Sequence, residues 1–240
     1  MEKFELISFP DDCTLAQAVA RRWLDEAAAQ SGRGDPHCVA LSGGRIAKAF
    51  FSAVAEQAQA GEGWLKGVHF FWGDERCVPP DHPESNFRIA REMLLQPLRI
   101  SEAQIHRLRG EESSEFAVAE GEAEICRIAP LDGNGQPVLD LILLGMGEDG
   151  HVASLFPGEP ESVMASKQVY RAVTASKPPP RRMTLGYGAI AAARQVWVLA
   201  SGAGKEGALR ESLRPEGQTP LARVLRSRQL TKFFTDIRLG

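Results

Sequence analysis

The chain has 240 residues, 43% hydrophobic and 25% charged, an ordinary mix for one large or two small globular domains. Its 28 Lys and Arg against 31 Asp and Glu give a net charge of −3. That balance argues against nucleic acid or an anionic membrane as the main partner, while leaving room for a local basic pocket.

The stretch Thr14 to Gln30 is Ala-rich with apolar residues at helical spacing, and Thr14 or Asp12 is a candidate cap. His37 to Leu41 reads as a buried strand ending in Ser42-Gly43-Gly44. A helix follows from about Ile46 to Gln59, stopped near Gly61. Val68 to Trp72 is a second strand, rich in β-branched and aromatic residues. A polar loop with three prolines leads to a helix over Ser85 to Leu95, and 113–129 is helical again. Leu131 to Pro137 is a turn. Val138 to Leu144, apolar apart from Asp140, reads as a strand covered on both faces. Gly145 to Gly150 is glycine-rich and is expected to open a short helix. Val169 to Val173 and Arg182 to Leu185 are extended segments around Pro178, Pro179 and Pro180. Gln195 to Ala200 is a buried strand, followed by Gly202 to Gly204 and a helix from Lys205 to Leu213. A short helix near Leu221 to Leu225 and a strand near Leu230 to Phe234 complete the chain.

Strand, glycine turn and helix thus recur at Leu41, Leu144 and Ala200. The pattern predicts an α/β, Rossmann-like fold: a mostly parallel sheet with helices on both faces, three layers in one domain. Ligands of such sheets sit beyond the carboxyl ends of the strands, so the three glycine turns should share one rim.

Apolar runs fall short of the ~18 residues that a bilayer span needs, and the N-terminus does not read as a signal peptide. Cys13, Cys38, Cys77 and Cys126 are far apart and form no C-x-x-C pair, so reduced thiols in a cytoplasmic protein are expected.

The candidate chemistry lies in the turns. Ser42-Gly43-Gly44 before a helix lets backbone N–H groups approach an anion, and Arg45 adds a charge where the helix dipole disfavours a cation. Gly73-Asp74-Glu75-Arg76 stacks charges at a strand end; Asp74 or Glu75 could hold Arg76 in an ion pair and aim it at an oxyanion or phosphate. Gly145-Met146-Gly147-Glu148-Asp149-Gly150 matches G-x-G-x-x-G. The next extended segment lacks the terminal acid that a ribose needs, and Glu148 and Asp149 stand where a pyrophosphate would lie, against dinucleotide binding. His151 follows, suited to general-base work, with Asp149 placed to orient it. His37, His69, His82 and His106 read as structural. No zinc pattern and no G-x-S-x-G elbow occurs. The proline run could hold Lys177, Arg181 or Arg182 over a pocket, and Gly202-Ala203-Gly204-Lys205 would suit a phosphate. These basic residues on one rim point to a small phosphorylated ligand.

LSGG, GDER with DHPESN, LLGMGEDGHVASLFPG, PPPRRMTL and GAGK, in that order, resemble the motifs of the 6-phosphogluconolactonases, the GMGEDGHVASLFPG block most specifically. The resemblance runs from the first predicted strand past Lys205. It implies a single α/β domain over residues 1–240, related to glucosamine-6-phosphate deaminase. It also implies hydrolysis of 6-phospho-D-glucono-1,5-lactone, a step of the oxidative pentose phosphate pathway, without metal or cofactor. By position, His151 would activate water, Asp149 would support it, and Arg76 would face the developing oxyanion. Ser42, Gly43, Gly44, Arg45, Asp74, Arg182 and Lys205 would bind the substrate and its phosphate. The partner is then a small sugar-phosphate lactone, and the expected assembly is a monomer or weak homodimer. Many members continue LSGG with Ser/Thr-Pro. Here Arg45-Ile46-Ala47 stands instead, so Arg45 either replaces a hydroxyl at the phosphate or marks a changed sugar specificity.

Two other readings compete with this one. A deaminase or isomerase of glucosamine 6-phosphate would carry a glutamate five residues after the histidine, where this chain has Phe156. A non-catalytic sugar-phosphate sensor would have no need of His151 and Asp149, and both are present.

Overall fold

The computed structural model describes residues 3–30, 34–58 and 65–239. The predicted helix stop at Gly61 lies outside them. In chain order the elements are β1 (Phe4–Ser8), α1 (Asp12–Gln30), β2 (His37–Leu41), α2 (Arg45–Ala58), β3 (Val68–Trp72), β4 (Asp74–Arg76) and α3 (Asn86–Ala90). Then come α4 (Ser114–Ile128), β5 (Leu141–Gly145), α5 (Glu161–Met164), β6 (Tyr170–Thr174), β7 (Arg181–Leu185) and α6 (Tyr187–Ala192). The chain finishes with β8 (Gln195–Ala200), α7 (Glu206–Leu213), α8 (Pro220–Ser227) and β9 (Thr231–Thr235).

Six strands form one parallel sheet in the order β1-β9-β8-β5-β2-β3. Successive residues of β2, β5 and β8 are buried although their side chains alternate between faces. Both faces are therefore covered, as the apolar runs predict. Helix α1 packs against α2, and α8 against α6 and α7. The core is aromatic near its centre: Trp23 of α1 lies 5.7 Å from Phe50 of α2 and 6.2 Å from Phe70 of β3, ring centre to ring centre.

Several expectations need correction. Neither Thr14 nor Asp12 caps α1; the Asp11 carboxylate does, accepting a 2.7 Å hydrogen bond from the Thr14 N–H. Strand β5 begins at Leu141, three residues later than its apolar run suggests. Asp140 before it accepts a 2.8 Å bond from the Cys38 N–H and pairs with Arg194 at 3.2 Å, so it staples the amino ends of the strands. The glycine turn after β5 opens no helix. Residues 147–150 form a turn that folds back on itself, Gly147 N–H donating to the His151 carbonyl at 2.9 Å. The segment Asp74–Arg76, read as a polar loop, is a strand of a second, antiparallel sheet with order β4-β7-β6. The helix over 85–95 is two pieces, α3 and a π-helical turn over Arg91–Leu95. Strand β1 and helix α6 give no sequence signal of their own: β1 is a largely exposed edge and α6 has six residues.

The core sets the stability scale. Replacing the fully buried Trp23 with alanine is expected to cost about 3–5 kcal/mol in urea unfolding, through lost transfer energy and a cavity. Asp11→Ala, which removes one exposed cap, should cost far less; the two values measured together check that burial dominates.

Candidate active site

The carboxyl ends of β2, β5 and β8 reach one rim, and the turns after them wall a cleft of about 130 Å³. Ser42, Gly43, Gly44 and Arg45 come from the turn after β2, Gly145 and His151 from the turn after β5, and Lys205 from the turn after β8. The second sheet closes the opposite side with Asp74, Arg76 and Arg182. Nine of the ten predicted site residues thus line one cavity. The tenth, Asp149, stands behind His151.

The His151–Asp149 pair is the best-defined part. Asp149 Oδ1 lies 2.5 Å from His151 Nδ1 and also accepts the His151 backbone N–H at 3.1 Å. Burial pushes the Asp149 carboxyl up, but the hydrogen bonds and the charge of His151 together outweigh this and hold it below the ordinary aspartate range. An ionised Asp149 can only accept, so Nδ1 carries a proton, and in the neutral imidazole Nε2 is the nitrogen left with a lone pair. The imidazole is braced on its side by Phe156, 5.0 Å away. Gly147 permits the arrangement. A Cβ there would stand 2.1 Å from the ring of His151 and 2.7 Å from Asp149 Oδ1.

The cationic residues form two pairs. Arg45 donates to Asp12 and, at 2.9 Å, to Ser201 Oγ. Asp12 thereby offsets the unfavourable position of Arg45 at the start of α2. Asp236 holds the neighbouring turn by accepting from Ser201 Oγ at 2.7 Å and from the Gly202 N–H at 3.0 Å. Lys205 sits beside Arg45. Burial and the Arg45 charge lower its pKa, against the opposing pull of Glu148 and Asp236.

The second pair is Arg76 and Arg182, partners across the β4–β7 register. The expected ion pair of Arg76 with Asp74 or Glu75 is not formed. Arg76 pairs with Glu84 instead, donating to its carbonyl and lying 3.5 Å from its carboxylate. Glu75 points away from Arg76 because β4 is a strand whose side chains alternate between faces, while Asp74, on the same face as Arg76, is taken up by Ser154 Oγ and Asn86 Nδ2. Arg182 donates to the Pro179 carbonyl at 3.1 Å and lies over Phe156, 5.6 Å from the ring centre. Of Lys177, Arg181 and Arg182, the cleft lining includes Arg182, which is buried, while Lys177 and Arg181 are exposed, Arg181 on the opposite face of β7.

Glu75 does a different job from the one its sequence suggests. Its buried carboxylate accepts from the backbone N–H groups of Arg76 (2.7 Å), Asn86 (2.8 Å) and Phe87 (2.7 Å) and from Ser85 Oγ (3.1 Å). Burial pushes its carboxyl up to about 7, while the three backbone donors pull the other way. The result ties β4 to the start of α3. Asp74 accepts from Ser154 Oγ at 2.7 Å and from Asn86 Nδ2 at 3.2 Å. Asn86, Asp12, Asp236 and Phe156 escaped the sequence reading as site residues. Asn86 and Phe156 had a signal, the first by its place in DHPESN beside GDER and the second inside GMGEDGHVASLFPG.

An open parallel sheet with a histidine–carboxylate pair and paired cations at its carboxyl rim defines the class: an α/β protein whose strand ends set a cationic cleft beside an oriented imidazole. Residues 10–233 match the family of glucosamine-6-phosphate isomerases and 6-phosphogluconolactonases, and the chain belongs to that family. It is 38% identical over 207 residues to the 6-phosphogluconolactonase of Mycobacterium tuberculosis, covering 84% of this chain and 82% of that protein. It is 38% identical over 194 residues to the 6-phosphogluconolactonase of Synechocystis, covering 80% and 77%. Among solved structures, the 6-phosphogluconolactonase of Trypanosoma brucei superposes with a TM-score of 0.85 at 28% identity, over 98% of this chain and 96% of that one.

Two measurements check the geometry. Gly147→Ala should separate His151 from Asp149, so the downfield Nδ1–H proton NMR signal of the hydrogen-bonded imidazole should be lost, with the fold retained by circular dichroism. Lys205, with its lowered pKa, should lose its proton at a lower pH than a free lysine. Binding of inorganic phosphate, followed by calorimetry, should therefore weaken as pH rises and begin to do so below the ordinary lysine range; Lys205→Arg should flatten that dependence.

Proposed function

We propose that the protein hydrolyses 6-phospho-D-glucono-1,5-lactone to 6-phospho-D-gluconate. One observation carries the reading: a histidine held by a carboxylate on Nδ1 faces a cleft lined by Arg45, Arg76, Arg182 and Lys205. A lactone ester needs an activated water and a stabilised oxyanion, and no covalent nucleophile.

His151 Nε2 takes a proton from water as the water oxygen attacks the lactone carbonyl carbon. The carbonyl oxygen becomes the oxyanion of a tetrahedral intermediate, facing Arg76. Collapse breaks the bond between that carbon and the ring oxygen, and the ring oxygen leaves with the proton returned by His151. Asp149 keeps the imidazole in the required tautomer and stabilises its charged form. Arg45, Lys205 and the turn of Ser42, Gly43 and Gly44 hold the phosphate, whose binding energy orients the carbonyl. Arg182 adds to the phosphate contacts, and Asp74 contacts the sugar portion. The relatives named 6-phosphogluconolactonase support the substrate. Phe156, packed on His151 and under Arg182, occupies the position where a deaminase would carry its glutamate, and this favours the lactonase over the deaminase.

The test generates the lactone in situ from glucose 6-phosphate and its dehydrogenase and follows its loss, with the spontaneous rate subtracted. The native protein should accelerate opening, and His151→Ala should reduce kcat by about 10²–10⁴-fold. Full activity in His151→Ala would remove the histidine from its role. Turnover of glucosamine 6-phosphate without lactone opening would replace the reading by the deaminase.

A further inference from the structure

Asn86 is 2% exposed and lines the cleft, yet the mechanism gives it no part. Its amide orientation is fixed. The neighbours on one side are the Asp74 carbonyl (2.9 Å) and the Asp74 carboxylate (3.2 Å), both acceptors, so Nδ2 must face them. The carbonyl end, Oδ1, therefore points the other way. It is buried and has no donor among the described residues. It lies over Gly43, where a Cβ would stand 1.9 Å from it, so only glycine at 43 leaves room for this placement. Ser42 Oγ, one residue away in the same lining, is likewise buried without a partner.

An unpaired buried acceptor costs free energy unless a ligand satisfies it. The cations around the cleft offer only donors, which suit phosphate and oxyanion. A hydroxyl of the sugar ring is a donor as well as an acceptor, and its proton calls for an acceptor in the lining. We infer that Asn86 Oδ1 accepts a hydrogen bond from a ring hydroxyl of the bound sugar phosphate, and so selects hydroxylated lactones over deoxy ones. The inference rests on the lactonase reading for its substrate. Glu75 is the support: by accepting the Asn86 and Phe87 N–H groups, it fixes where the amide stands.

The experiment is a cycle between protein and ligand. Hydrolysis of the parent lactone and of its 2-, 3- and 4-deoxy analogues is measured for the native protein and for Asn86→Ala, with binding of 6-phosphogluconate and the matching deoxy acids by calorimetry. With the native protein, one deoxy lactone should lose about tenfold or more in kcat/KM, because a site built around a hydroxyl rejects the analogue lacking it. Asn86→Ala should lower kcat/KM for the parent by a similar factor and lower that analogue less than about twofold. An equal loss on parent and all analogues would make Asn86 merely structural and overturn the inference. So would a native protein indifferent to every missing hydroxyl, a result that needs no variant to fold. If the native protein opens no lactone, the proposed function fails on its own. The binding cycle still decides on Asn86, since matched losses in affinity support it and none overturns it.

Discussion

Four donors converge on the buried carboxylate of Glu75, and the floor of the cleft depends on that convergence. A carboxylate in the interior is costly unless its lone pairs are satisfied. Here three backbone N–H groups and one hydroxyl satisfy them, and all come from two short segments with little other reason to meet. The β4 strand has three residues and α3 has five, too few to be stable alone. Joined through Glu75 they hold Arg76, Asp74 and Asn86 in one place. The side chain that looked like a candidate ion-pair partner is the strut under the site.

Above that floor, the electrostatics are unbalanced by design of the register. Pairing of β4 with β7 sets Arg76 opposite Arg182, and the turn after β8 sets Lys205 beside Arg45. Burial first, and then the like-charged neighbour, lowers the pKa of Arg182 and of Lys205. Acidic residues at the margin, Asp12, Glu84 and Asp236, orient these groups or their turns without filling the cleft. A dianionic ligand would relieve the repulsion that remains, which is the electrostatic basis of the proposed phosphate site.

Much of this was legible in the chain. The buried strands announced themselves as apolar runs, and β2, β3 and β8 fall at the residues predicted. The glycine turns marked one rim because a parallel sheet sends all its strand ends the same way. Asp149 two residues before His151 was enough to foresee the pair. The failures have a common cause. The helix expected after Gly150 is absent because hydrogen bonds within 147–151 close a tight loop, and this closure depends on Gly147 having no side chain. The cap of α1, the second sheet and the partners of Arg76 were missed because each is decided by a neighbour distant in sequence or by one residue of offset.

The sequence by itself determined the fold class, the family and nine of the residues that line the cleft, because hydrophobic period, turn chemistry and motif order are local properties. Tertiary structure alone decided which charges meet. Glu75 faces α3 rather than Arg76, Arg45 finds Asp12 and Ser201, and Asn86 is left with one acceptor unspent. Those outcomes turn on which face of a strand a side chain takes and on contacts between segments far apart along the chain. Local pattern does not encode them.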